Sequence, residues 1–178
     1  MENPSSSGVN YIVIFILPAI AAIGAFAAAI FTYFAARVSA KANRGQTLLA
    51  CLDKYISIMK DRRYAIDKKD AFLAREFYRE LFDLHWSEFH LWQEGAIYNH
   101  VMKAWLAVRK RNFENEKISV RSAEGAIYDI TYKEEWRASI SRNYFENYDP
   151  FIYFMNIAHS SDVNNIKELK RNSRKRIK

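Results

Sequence analysis

From Asn3 to Ala36 the chain carries no charged residue, and from Tyr11 to Ala36 only Pro18, Gly24 and Thr32 interrupt an apolar run. No other feature restricts the fold as much, because 26 such residues cannot lie on the surface of an ordinary domain in water. As a helix they reach about 39 Å, against about 30 Å of bilayer hydrocarbon, so the length fits a tilted span or a helix that extends beyond the membrane. A secretory leader needs a basic start and a shorter apolar core, whereas "MENPSSSGVN" holds one acid and no Lys or Arg. Arg37, Lys41 and Arg44 follow the run. By the positive-inside rule they place residues 1–10 outside the cytoplasm, residues 11–36 as the transmembrane helix and the remainder inside. Within the span Ala21, Gly24, Ala25 and Ala28 include small residues four apart, a pattern that lets two helices approach closely and that also arises by chance in Ala-rich helices.

After the span about 140 residues remain, enough for one domain with its own core. Charge is uneven along them. Of 27 basic and 20 acidic residues, 20 and 19 precede residue 167, so the formal charge of +7 resides almost wholly in "KELKRNSRKRIK". One cysteine, Cys51, permits no internal disulfide, and beside Leu48, Leu49 and Leu52 it reads as a small packing residue.

The periodicity downstream is helical. Leu48, Leu52, Tyr55 and Met59 form a stripe from near Gln46 to the "IDKKD" turn, continuing the membrane helix or broken from it at Gly45. Asp70 is placed to cap a second helix that Gly95 stops. On that helix Arg79, Asp83, Ser87, His90 and Glu94 share a polar wedge, and aromatic and leucine side chains cover most of the rest. Two polar residues, His85 and Glu88, fall inside the apolar arc and form a possible buried polar site. Half a metal site or an acid/base pair is one reading, and a structural acceptor is the stronger one, under which Glu88→Gln is mild.

"EGAIY" occurs at 94–98 and again at 124–128, which reads as shared turn chemistry rather than a repeated unit. Tyr98, Val101, Met102, Trp105 and Val108 mark a third helix that ends in cations at "VRKRNF". "KISVRSAEGAIYDIT" is either a small hairpin or an irregular loop. Thr131 with Glu134 forms a capping box, Asp149 with Pro150 opens a short buried helix, and Ser161 with Asp162 starts a last helix that runs into the basic tail. The expected fold is therefore all-α: one transmembrane helix, then a cytoplasmic bundle of about five helices over residues 37–166, with a hairpin possible near 117–131 and a basic tail at 167–178.

Tyr78, Phe82-Asp83-Leu84, Glu88-Phe89, Leu91-Trp92, Gly95, Ile97 and Trp105-Leu106 together resemble an uncharacterised bacterial family of short membrane-anchored helical proteins with a domain of unknown function. The likeness covers about 30 residues. It implies a bacterial inner-membrane protein of the kind found in mobile or phage-related loci, and it carries no catalytic residues.

The chain holds no P-loop, dinucleotide fingerprint, nucleophile elbow or H-E-x-x-H motif. No enzyme activity, cofactor or metal is expected. The leading expectation is an inner-membrane interaction module that binds a protein partner or its own copies, in phage defence or superinfection exclusion. Two alternatives stand beside it: an oligomerising effector that permeabilises the membrane, and a metal-dependent enzyme using His85 and Glu88. For the tail, Lys167, Lys170, Arg171, Arg174, Lys175, Arg176 and Lys178 suit anionic lipid better than nucleic acid, because the segment has no aromatic residue to stack on bases.

Overall fold

Apolar stripes with capped ends decide the elements. The structure is a computed structural model and describes residues 17–146 and 148–176. The chain divides into two compact units, Met1–Gly45 and Gln46–Lys178. Its first helix, α1, is Leu17–Lys68, and Gly45 lies within it rather than at a break. Residues 11–16 of the expected span lie outside the described residues, as do the side chains expected to pack at Ala21, Gly24 and Ala25; Ala28 is exposed. Among the described residues no helix is both long and apolar enough to cross a membrane.

The second unit is built around α2, Ala71–Glu94. Asp70 caps it as its sequence position predicts, its side chain accepting from Phe72 N at 2.7 Å and Leu73 N at 3.1 Å. At the far end Gly95 adopts φ 89°, a left-handed conformation that closes the helix by returning its N–H to Leu91 and Trp92. A Cβ at Gly95 would meet no atom within 4 Å, so Gly95→Ala tests backbone strain alone. The expected outcome is a loss of about 1–2 kcal/mol in a urea titration, since left-handed backbone costs an L side chain that much.

Five further elements and one more helix follow: α3 Asn99–Asn115, β1 Lys117–Arg121, β2 Ile127–Thr131, α4 Tyr132–Ser141, α5 Asp149–Ser160 and α6 Ile166–Arg174. The described chain is thus mostly helical with one two-stranded antiparallel sheet. Of the two possibilities for 117–131 the hairpin forms, pairing Lys117 with Thr131 and Arg121 with Ile127. Its strands bury Ile118, Val120 and Ile130, and Gly125 at φ 88° makes the turn. Both glycines of the "EGAIY" copies therefore serve as left-handed stops, one ending a helix and one reversing a hairpin.

Helix α2 buries Phe77, Tyr78, Leu81, Phe82, Leu84, Phe89 and Trp92. Aromatic rings from α4 and α5 close over it: Phe82 meets Tyr132 and Trp136 at 5.0 and 5.4 Å between centroids, and Phe89 meets Phe154 at 4.9 Å. Each such ring contributes both buried area and edge-to-face attraction. Thr131 caps α4 with its side chain accepting from Glu134 N, as the capping box predicts. The cap of α5 is Tyr148, so Asp149 and Pro150 occupy its first turn rather than Asp149 standing outside it.

The C-terminal segment differs from the expected tail. Ser161 ends α5, and Asn165 starts α6 by accepting from Glu168 N at 3.1 Å. Residues 167–174 are helical because Leu169 and Ser173 supply a buried edge four residues apart, which a count of charges does not reveal.

Candidate functional site

Three helices of the second unit each present one face to a common cleft. From α1 come Cys51, Leu52 and Tyr55, from α2 His85 and Glu88, and from α3 Trp105, Val108, Arg109 and Asn112, at the three- and four-residue spacings that put side chains on one helical face. The cleft has a volume of about 200 Å³. Its walls are largely apolar and its floor is charged.

That floor is an ion cluster. Glu88 Oε2 accepts from Arg109 Nη2 and faces His85 Nδ1 at 3.3 Å. All three residues are buried, Arg109 to 1% exposure. Burial would raise the Glu88 carboxyl, but the Arg109 charge and the His85 hydrogen bond outweigh it and hold the group below its ordinary value. For His85, burial and then the Arg109 charge push the imidazole down to about 4 despite Glu88, so the ring is neutral near pH 7. Because the carboxylate is ionised and can only accept, the His85 proton sits on Nδ1. Arg109 is held further by Met102 Sδ at 3.5 Å and by the Phe154 ring at 5.6 Å.

Near this cluster lies a second buried polar pair, with the Tyr132 ring centroid 6.4 Å from that of His85. Tyr132 Oη lies 3.3 Å from His159 Nε2, and the His159 ring stacks on Phe113 at 4.1 Å. Burial, then the nearby His85 and Arg109, lowers His159 to about 3. Within the described residues His85 Nε2, Arg109 Nε and His159 Nδ1 have no hydrogen-bond partner. Cys51 is free and buried, its thiol pushed up by burial and by the Glu88 charge, which makes it a poor nucleophile.

The structure places His85 Nδ1 3.3 Å from Glu88 Oε2 and adds Arg109 to them, with Tyr132 and His159 as a second buried pair. Arg109 was concealed in "VRKRNF", where a cation suits a helix end. The signal that could have found it is spacing, since it lies seven residues after Met102 and four after Trp105, on the apolar face. Among the described residues no three His, Cys, Asp or Glu side chains gather to hold a metal. Glu88 is instead engaged by a guanidinium, which would oppose a cation at the same oxygen.

The C-terminal cations divide into two sets. Lys170 Nζ donates to Trp92 O and lies 5.2 Å from the Trp92 ring, and Arg174 donates to Gln93 O and, at 3.0 Å, to Gln93 Oε1. These bonds satisfy carbonyls in the last turn of α2, where a positive charge also suits the helix dipole. Arg176 lies 4.2 Å from the Tyr153 ring. Lys167, Arg171 and Lys175 are exposed and, with Asn99, Lys170 and Arg174, line an open concavity of about 380 Å³. Lys178 lies outside the described residues.

Compared with known proteins, the chain matches no family model, no curated protein and no solved structure.

Proposed function

We propose that this protein is a membrane-anchored helical binding module, held in a bacterial inner membrane by residues 11–36 and acting through its globular unit by association rather than catalysis. One observation carries the anchor. Between Phe26 and Val38, helix α1 exposes Phe26 (71%), Phe31 (76%) and Val38 (69%) together with Ile30, Tyr33 and Phe34, with no charged face before Arg37. An amphipathic helix docking on protein would keep a polar side for water, and this one has none. Lipid covers such a surface without cost. Within this stretch the Thr32 hydroxyl, Oγ1, donates to Ala28 O at 2.8 Å, which satisfies it within the helix. Arg37 lies 5.9 Å from the Tyr33 ring, an aromatic and cationic pair of the kind found at a bilayer's cytoplasmic edge.

Association is favoured by the cleft. Its acid is neutralised by Arg109, its imidazole titrates far below neutrality, and its thiol is pushed up from its ordinary value by burial and the Glu88 charge, an arrangement that favours binding over proton or group transfer. Lys167, Arg171 and Lys175 add a basic surface on α6 suited to anionic headgroups.

The reading predicts that the full chain resists alkaline extraction from membranes and yields to detergent. A reporter fused after Lys178 should be active only in its cytoplasmic form. Alkaline release of most of the protein, or reporter activity confined to the outside, would overturn the anchor.

A further inference from the structure

We propose that the cleft between α1, α2 and α3 binds a neutral small molecule with an apolar body about one ring in size and a hydroxyl or amide that donates to His85 Nε2 and accepts from Arg109 Nε. The inference deepens the proposed binding role and rests on it.

The floor dictates the polar part. Glu88 Oε2 is shared by Arg109 Nη2 and His85 Nδ1, which fixes the imidazole proton on Nδ1 and leaves Nε2 with an open lone pair. Arg109 Nε, in the same cluster, is an N–H donor without a partner among the described residues. Both side chains line the cleft and both are at least 95% buried. An unpaired acceptor and an unpaired donor at one buried floor cost stability unless something supplies the complementary pair. A hydroxyl or an amide carries both a donor and an acceptor and so offers the complementary pair.

Charge then decides against ionised ligands. The guanidinium and the carboxylate cancel, so a carboxylate or ammonium ligand would bury a net charge with no counter-charge left to meet it. The rest of the ligand is set by the walls. Leu52, Tyr55, Trp105 and Val108 offer apolar contact, and about 200 Å³ exceeds the roughly 150 Å³ of a hydrocarbon cavity that holds one benzene ring. Asn112 leaves one further polar contact at the lining for a second substituent.

The test uses the full chain in lipid nanodiscs, with benzamide and p-cresol as neutral probes and toluene and benzoate as controls that lack the polar pair or carry charge. Binding is titrated by saturation-transfer NMR. The reference is Leu52→Trp, which fills the cleft from an exposed position without altering the floor; Val108→Trp replaces it if Leu52→Trp lowers the melting temperature. At least one neutral probe should bind the wild type with a Kd of about millimolar, as its size allows. Binding should be at least threefold tighter than for toluene and benzoate, and at least threefold weaker in the filled variant. Since Cys51 is the chain's only cysteine and lines the cleft, the same probe should slow its alkylation at least threefold wherever that reaction is measurable. Affinity for both controls within threefold of the better probe, as expected if a bridging water already serves the floor, would overturn the proposal. So would binding that persists in the filled variant, or no saturable binding of either neutral probe. A flat titration from protein that still resists alkaline extraction refutes this inference and leaves the anchor standing, whereas alkaline release refutes the anchor and leaves the titration readable.

Discussion

Glu88→Gln should destabilise the globular unit by about 3–5 kcal/mol, even though it preserves the size of the side chain. The reason is Arg109. With 1% of its surface exposed, the guanidinium has lost nearly all of its hydration, and removing the carboxylate charge leaves a buried cation whose desolvation is uncompensated. This departs from the sequence-based expectation of a mild effect, which took Glu88 as a structural acceptor and left open whether a hydrogen bond or an ion pair satisfied it. A double substitution separates charge from shape. In Glu88→Gln/Arg109→Met both charges disappear, so stability should return to within about 1 kcal/mol of the wild type. Urea titrations of the wild type, Glu88→Gln, Arg109→Met and the double variant at pH 7.5 check the cycle. A loss under 1 kcal/mol for Glu88→Gln would mean that Arg109 is hydrated or finds another acceptor.

Acid should unfold the unit over an unusually mild range. His85 falls to about 4 and His159 to about 3 in the folded state, from an ordinary value of 6.5. Both shifts favour the neutral ring. Their stabilisation is therefore fully present above pH 6.5 and is lost as pH falls from there through the folded values. By pH 4.5 each should have removed about 2–3 kcal/mol, a large share of a typical domain's 5–15 kcal/mol. Glu88, also held below its ordinary value, acts in the same direction at lower pH, because its stabilisation is lost as the carboxylate takes up a proton. The groups facing His85 are Glu88, Arg109 and Tyr132, and those facing His159 are Tyr132, Phe113 and Trp136; the other ring nitrogen of each, His85 Nε2 and His159 Nδ1, has no acceptor among the described residues for a second proton. Unfolding midpoints between pH 7.5 and 4.5 provide the measurement. His159→Phe keeps the stack on Phe113 and should flatten the profile by about half; an unchanged slope would show that His159 does not titrate with unfolding.

The parts of the fold that were legible are those set by neighbours in the chain. Asp70 and Gly95 bracket α2 because an N-cap oxygen and a left-handed glycine act within three or four residues. Thr131 caps α4 by the same local logic. His85 and Glu88 could be placed in the apolar arc because 100° per residue is a property of the helix alone. The segment 117–131 stayed open between loop and hairpin because two five-residue strands gain their stability from Ile118, Val120 and Ile130 meeting the core, which is a tertiary contact.

By itself, then, the sequence determined the uncharged apolar run, the helix limits around α2, the left-handed turns at Gly95 and Gly125 and the burial of a histidine and a carboxylate. Tertiary structure alone decided their partners. Arg109 is 21 residues from Glu88, Tyr132 is 27 from His159, and Arg174 is 81 from Gln93, separations over which periodicity carries no information. A helix can announce that a charge faces inward, but only packing chooses which distant charge meets it, because that choice depends on how three separate helices share one core.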